Sequence, residues 1–215
     1  MASKDLTAYR KNYQRSSLGD KVVPDDPFNL FKIWFEQADQ DTAIDEVNAM
    51  TLATADKSGR PRSRVVLLKE YDTSGFVFFT NYRSKKGKAL TENPFACISF
   101  FWPSQERQII IEGPVQQVSA EQSDTYFKSR PLGSQLGAIA SEQSAVIAGR
   151  SVLENQLSEL IEKYSNSSPE RPDHWGGYRL IPEAFEFWQG RENRLHDRIS
   201  YIYENSAWRS VRLAP

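Results

Sequence analysis

Between Met50 and Ser119 the chain is a succession of short β-rich runs, "MTLATA", "RSRVVLLKEY", "GFVFFTN", "ACISFFW", "RQIIIEG" and "PVQQVS", divided by turn signals such as "DKSGRP" and "DTSG". This spacing constrains the fold more than any other feature, because β-branched and aromatic runs so closely spaced close into a barrel or a sandwich. Four more runs, "GGYRLIP", "AFEFWQG", "RISYIYE" and "AWRSVRL", return to strand chemistry near the carboxyl end, the last two joined by "NS" as a tight hairpin. Helical periodicity flanks and interrupts them. Asp26 caps a first helix with Pro27 at its first position, and Leu30, Phe31, Trp34, Phe35 and Ala38 recur toward the core. Two helices are expected after the sixth run. Ser119 and Gln122 form a capping box for one that ends near Pro131, and Ser151 and Glu154 form another ahead of the stripe Leu153, Leu157, Leu160, Ile161 and Tyr164. The prediction is a mainly β protein with flanking helices, an α+β chain, with residues 1–24 as a flexible arm and 25–215 as one domain.

Charge and cysteine content narrow the function. With 27 Lys+Arg against 28 Asp+Glu the net charge is −1, so no global field recruits nucleic acid or a membrane surface, and cationic function must come from local clusters. The single cysteine, Cys97, lies in an apolar run and reads as a buried core thiol in a reducing compartment. No apolar segment resembles a signal peptide or a membrane span, so the expected location is the cytoplasm. One Cys and two His without metal-ligand spacing leave metal and nucleophilic catalysis without candidates, so difficult chemistry would fall to an organic cofactor.

Four clusters carry the candidate chemistry. Arg64 and Lys69 bracket four apolar residues, as a buried strand with a cation at each end does; cations that merely reach water read the same way. In "TNYRSKKGKAL", Arg83, Lys85, Lys86 and Lys88 stand at a helix start, where unpaired N–H groups and the dipole favour phosphate; an exposed basic loop is the other reading. Tyr126 and Arg130 share a helix face with Ser134 just beyond, a set suited to a second phosphate or to a helix end neutralised by a cation. Gln143 and Ser144 add neutral hydrogen-bonding groups. "EFWQGRENRLHDR" gathers Arg191, Arg194, His196 and Arg198, which suggests an anionic, hydrogen-bonding ligand or a solvated turn.

The segments "RVVLLK", "ERQ", "SRP..SQ.GA", "QS", "WGGYR", "EFWQG" and "RLHDR", in that order between about Pro24 and the terminal "RLAP", resemble the pyridoxine (pyridoxamine) 5′-phosphate oxidase family. The resemblance implies an FMN-binding split β-barrel that forms a homodimer with FMN at the subunit interface. It also implies oxidation of pyridoxamine 5′-phosphate or pyridoxine 5′-phosphate to pyridoxal 5′-phosphate by O2, releasing H2O2 and, from the amine, NH3. Carried over by position, Arg64, Val65, Val66, Leu67, Leu68 and Lys69 line FMN, joined by Phe79, Thr80, Lys85, Lys86, Gln108, Gln143, Ser144, Trp188 and Arg198. Lys69, Tyr126, Arg130 and Ser134 hold the substrate phosphate. Arg194, Leu195 and His196 stand over the pyridoxal ring, Arg194 and His196 as the catalytic pair, and Arg10 and Tyr13 of the arm fold over the site. Two departures stand out: Lys85 and Lys86 replace an arginine–lysine pair, which loses a bidentate fork, and Phe79 replaces a common tyrosine. A different flavin reductase on this barrel, or a non-catalytic FMN- or pyridoxal-phosphate-binding module, is the alternative.

Overall fold

The structure, a computed structural model, describes residues 3–19 and 23–215; residues 1, 2 and 20–22 of the expected arm lie outside the described residues. Its elements in chain order are α1 (Pro27–Asp39), β1 (Ala49–Ala55), β2 (Pro61–Leu67), β3 (Glu70–Asp72), β4 (Gly75–Asn81), α2 (Lys85–Glu92), β5 (Phe95–Trp102) and β6 (Arg107–Gln117). There follow α3 (Ala120–Ser129), α4 (Leu132–Ala140), α5 (Arg150–Lys163), β7 (Trp175–Leu180), β8 (Ala184–Gln189), β9 (Asp197–Glu204) and β10 (Ala207–Leu213). The chain is mainly β with flanking helices, as its sequence predicts. It forms two compact units, Met1–Val47 with Ser99–Ile111 and Glu183–Pro215, and Asn48–Ile98 with Glu112–Pro182; strands β5 and β6 run through both.

The first unit carries the strand order β10-β9-β8-β6-β5. Its α1 starts where the sequence places it: Asp26 accepts the Phe28 N–H at 2.9 Å and Pro27 fills the first turn, where a missing N–H costs nothing. Leu30, Phe31, Trp34 and Ala38 are buried, whereas Phe35 is half-buried. Phe31 meets Phe100 at 5.5 Å, and Trp34 meets Phe187 edge-on at 5.3 Å. Such ring pairs add to the burial that holds α1 on the strands. The β9–β10 turn uses Asn205 and Ser206 at φ 51° and 63°, the paired left-handed residues that a two-residue hairpin demands.

The second unit pairs β1 with β2 from Ala49↔Leu67 to Ala55↔Pro61, and sets β4 between β3 and β7. Here three expectations change. "RSRVVLLKEY" is two strands, because the chain changes neighbours: the Leu68 N–H donates to Asn48 and the Lys69 N–H to Val77. "RQIIIEG" and "PVQQVS" are one strand, β6; Pro114 sits in it with its carbonyl accepting the Ile181 N–H, a place where the ladder asks it for no donor. Nor is β2 a buried strand, since Val65 is 67% exposed and the residues from Pro61 to Ser63 are exposed.

The helices need similar correction. Ser119 caps α3 by accepting the Gln122 N–H at 3.0 Å, but Gln122 turns its side chain to Glu70 instead of completing the box. A helix not foreseen, α4, follows at once, for Pro131 ends α3 and also opens α4. In α5 the Ser151–Glu154 box does not form: the helix begins at Arg150 after Gly149, and Glu154 pairs with Arg150 at 2.7 Å. Its apolar stripe is at most half-buried. Cys97 is half-buried on the face of β5 opposite buried Ala96 and Ile98, and burial pushes its thiol up to about 11, so it stays protonated at neutral pH.

Short α2 depends on one glycine. Ser84 caps it through the Gly87 N–H, and a Cβ at Gly87 would meet the backbone oxygen of Tyr82 at 2.1 Å. Gly87→Ala must therefore displace the helix start, at an overpacking cost of about 1–3 kcal/mol. The expected result is a lower thermal midpoint together with weaker binding of any ligand held by Lys85 or Lys86. Calorimetry and a ligand titration on the same variant check it; an unchanged midpoint would refute the tight contact.

Candidate functional site

The strand switch at Leu68 and Lys69 opens a cavity of about 480 Å³ in the second unit. Val65, Val66, Leu67 and Lys69 line it from β2 and its exit, Phe79 and Thr80 from β4, Lys86 from α2, Tyr126 and Arg130 from the end of α3, Ser134 from α4, and Gln143 from the loop after it. Eleven of the residues singled out in the sequence thus converge on one space. Pro131 and Trp175 line it as well, and neither was foreseen. The legible sign of Trp175 was the Gly-Gly that follows it: a Cβ at Gly177 would meet Phe79 Cε1 at 2.8 Å, so glycine there lets aromatic rings pack onto bare backbone. The Phe79 ring stacks on Tyr126 at 4.0 Å and on Trp175 at 5.6 Å. Arg130 lies over the Trp175 ring at 4.7 Å. Gln135 donates to the Arg130 carbonyl at 2.7 Å and fixes the backbone there, yet the Arg130 Nη1 is buried without a hydrogen-bond partner.

The cations in this region meet neutral acceptors. Lys86 Nζ donates to Gln143 Oε1 at 2.7 Å and Thr80 Oγ1 at 3.1 Å, and burial, with Arg64 nearby, lowers its pKa to about 8. Arg64 donates to the Leu52 carbonyl at 3.0 Å and Thr54 Oγ1 at 2.9 Å, and burial holds its pKa below the usual value. Burial does the same to Arg130. A buried, unpaired cation is costly, so the arrangement favours an anion. Lys85 and Ser144 are placed elsewhere. The Lys85 N–H donates to Ser144 Oγ at 3.4 Å, and both residues line a neighbouring cavity of about 420 Å³ with Arg83, Lys88 and His174; Gln143 reaches both spaces. The Leu68 side chain is turned into the core.

The first unit holds the other predicted cluster. Asn193 and Arg194, at φ 56° and 63°, form a tight turn over Glu192–Arg194, a conformation that costs non-glycine residues energy and persists only when its surroundings enforce it. Asp197 supplies the support, accepting from Arg191 at 2.9 Å, Arg212 at 2.8 Å and the Leu18 N–H at 3.0 Å. His196 Nδ1 accepts the Arg191 N–H at 3.1 Å, which leaves Nε2 to carry the proton of the neutral ring; burial and then Arg194 lower its pKa. Its ring lies 4.6 Å from Trp188 and 5.8 Å from Tyr13. Arg194 and Leu195 are exposed beside it. Arg198 differs, since its fork grips Glu186 through two bonds of 2.9 Å and also donates to the Ala214 carbonyl. Gln108 is half-buried on β6, and Arg10 donates to Thr7 within the amino-terminal segment. Glu106, buried beside Tyr13, was missed: it was quoted only inside "ERQ".

Residues 36–164 match the family described as pyridoxamine 5′-phosphate oxidase, and residues 175–215 match the pyridoxine 5′-phosphate oxidase C-terminal dimerisation region. The chain is 53% identical over 214 residues to a pyridoxine/pyridoxamine 5′-phosphate oxidase of Pseudomonas putida, covering 99% of this chain and 100% of that one. It is 51% identical over 212 residues to one of Christiangramia forsetii, covering 99% of each. Among solved structures, PhzG from Burkholderia lata, in complex with tetrahydrophenazine-1-carboxylic acid, superposes with a TM-score of 0.85 at 32% identity, over 91% of this chain and 95% of that one. An FMN-binding protein of Nostoc punctiforme related to pyridoxamine 5′-phosphate oxidase gives 0.70 at 17% identity, over 88% and 98%, and shares the fold.

The lowered pKa of Lys86 makes a test. Its proton is bound in the unfolded chain up to about 10.4 but held in the folded one only to about 8, so without ligand stability rises as pH increases between these values. An anion on the ammonium reverses the preference and requires the proton. Affinity of the ligand-free protein for FMN is expected to fall as pH rises through 8, and Lys86→Arg, charged throughout, to flatten that fall. Fluorescence titration from pH 6.5 to 9.5 checks it; the same slope in both proteins would show that Lys86 does not face the anion.

Proposed function

Because the chain belongs to the pyridoxine/pyridoxamine 5′-phosphate oxidase family, whose members are FMN-dependent oxidoreductases, we propose that it oxidises pyridoxamine 5′-phosphate and pyridoxine 5′-phosphate to pyridoxal 5′-phosphate with O2 as acceptor. The carrying observation is Arg130. Its guanidinium is stacked on Trp175 with a buried, unpartnered Nη1, in a cavity it shares with Lys69, Tyr126 and Ser134. Two cations and two hydroxyls suit a phosphate ester better than a neutral ring substituent. FMN fits the remaining residues: Lys86, Thr80 and Gln143 converge as donors and acceptors, Arg64 adds charge, and Val65, Val66 and Leu67 offer a flat strand edge. The chemistry FMN would supply when bound is acceptance of a hydride from substrate C4′ and delivery of the electrons to O2, giving H2O2; with the amine substrate, water then hydrolyses the resulting imine to the aldehyde and NH3.

The chain's own residues bind and orient. Lys69, Tyr126, Arg130 and Ser134 hold the substrate phosphate, which fixes the reacting carbon by its remote end. Arg194, Leu195 and His196 cover the ring, with Arg10 and Tyr13 of the arm; the neutral His196 donates from Nε2 while Arg194 brings charge. Gln108, Ser144, Lys85, Trp188 and Arg198 complete the cofactor site. The dimerisation-region match supports a homodimer, and we place FMN at its subunit interface. Exposed Val65 and Leu195, apolar residues at the two clusters, are what a second copy would cover. No helix among the described residues is long and apolar enough to cross a membrane, and the half-buried lone thiol suits a cytoplasmic enzyme.

Oxygen uptake by the purified, FMN-loaded protein with pyridoxamine 5′-phosphate tests the reaction; uptake with a reduced phenazine acid and none with the phosphate would replace it. Arg130→Ala is expected to raise KM for the phosphorylated substrate about ten- to over a hundredfold, the loss of a charge-assisted hydrogen bond of roughly 1.5–3 kcal/mol, while FMN stays bound. An empty flavin site instead would mean the two phosphates are exchanged. Arg194→Ala and His196→Asn are expected to slow anaerobic flavin reduction in a stopped-flow instrument and to retain FMN. Parent rates in both would make "RLHDR" a structural turn.

A further inference from the structure

Glu106 stands where nothing in the reaction calls for a carboxylate. It occupies the turn between β5 and β6 at φ 57°, an uncommon conformation for glutamate, and its side chain is 6% exposed. Its Oε2 accepts two successive backbone N–H groups of the amino-terminal segment, Gln14 at 2.9 Å and Arg15 at 3.0 Å, and its Oε1 lies 3.5 Å from Lys11 Nζ. On its other side, the Glu106 carbonyl accepts the Gly190 N–H at 2.7 Å and Gln189 Nε2 at 3.2 Å. One residue therefore joins the arm to the end of β8.

Gly190 shapes the same place. A Cβ there would meet Tyr13 Cγ at 2.8 Å, Tyr13 Cβ at 3.0 Å and Glu106 Cβ at 3.1 Å, so the tyrosine rests on bare backbone. Held from both sides, Tyr13 sets its ring edge-on to Trp188 at 5.7 Å and 5.8 Å from His196. Gln14 extends the attachment through its Nε2 to Glu192, and Leu18 through its N–H to Asp197. The arm thus bonds to the residues that brace the strained turn. Truncating Glu106 would leave two adjacent amides without their charged acceptor, whereas adding a methyl at Gly190 would fill the space of the Tyr13 ring.

We propose that Glu106 and Gly190 form a seat that positions Tyr13 against His196 and Trp188, making both positioning residues for the substrate-covering part of the site. The proposal deepens the oxidase reading and rests on it for the roles of Tyr13 and His196.

The test uses FMN-loaded protein with Glu106→Ala, Glu106→Gln and Gly190→Ala, read by trypsin cleavage after Lys11 and Arg15 and by steady-state kinetics with pyridoxamine 5′-phosphate. Glu106→Ala and Gly190→Ala are expected to speed cleavage about tenfold and raise KM about tenfold, with kcat within about twofold of the parent. Glu106→Gln keeps an acceptor oxygen for the two amides and is expected to fall between. Parental cleavage rates in both alanine variants would overturn the seat. Faster cleavage with an unchanged KM would show that the arm docks without serving substrate and would overturn the positioning role. If Glu106→Ala fails to fold, Gly190→Ala decides. A parent protein that cleaves slowly but does not oxidise pyridoxamine 5′-phosphate defeats the oxidase reading alone, since the protease comparison still judges the seat.

Discussion

The structure turns on a separation between cations that have carboxylate partners and cations that do not. Arg171 meets Asp124, Arg179 meets Asp72, Arg191 meets Asp197 and Arg198 meets Glu186, each at 2.9 Å or less. Lys86 and Arg130 line the second unit's cavity, Arg64 lies close enough to Lys86 to act on its charge, and none of the three is in an ion pair among the described residues. Each is partly buried, each has its pKa lowered by that burial, and each is satisfied only by neutral oxygens or left short of a partner. Such a set destabilises the protein without ligand and is stabilised by anions that enter it. Under the proposed function, two phosphates, one on a cofactor and one on a substrate, would supply that charge.

The part of this legible in the sequence was local. Asp26 with Pro27 and Ser119 before its helix each depend on a few neighbouring residues, and the structure keeps both; Tyr126 and Arg130 do line one cavity, but Arg130 is the extended residue after α3 and not part of a shared helix face. The clustered lysines after β4 did mark a helix start. What escaped was set at a distance. Nothing between Arg64 and Tyr71 announces that Leu68 still pairs toward β1 while Lys69 pairs with β4, yet that change of neighbour opens the cavity. Pro131 read as an end because a proline breaks the helix before it; that it also begins α4 depends on packing that "LGSQLGAIA", with two glycines, does not advertise. Glu106 was invisible for the same reason, its partners lying about ninety residues earlier in the chain.

The two clusters do different work by different physics. Around Arg130 the rigid parts are rings and a helix end, and recognition is electrostatic. Around His196 the rigid part is a backbone turn with two consecutive left-handed residues, kept in place by an aspartate that accepts from two arginines and an amide. That strain fixes where Arg194 and Leu195 project. A neutral imidazole there has one N–H to donate, at Nε2, because the Arg191 N–H occupies its other nitrogen.

The two departures from the family pattern are absorbed by this arrangement. Lys85 is exposed and contributes its backbone N–H to Ser144, whereas Lys86 is the ammonium that reaches Thr80 and Gln143 in the cavity. The bidentate fork is therefore missing at the outer position, where solvent already weakens a charged contact, and the inner position needs only a point charge. Phe79 carries no hydroxyl but stacks on Tyr126 at 4.0 Å and packs beside Trp175 at 5.6 Å, and these ring contacts need no polar edge. It holds Tyr126 by its face, so the Tyr126 phenol stays in place without the hydrogen bond a tyrosine at position 79 would add.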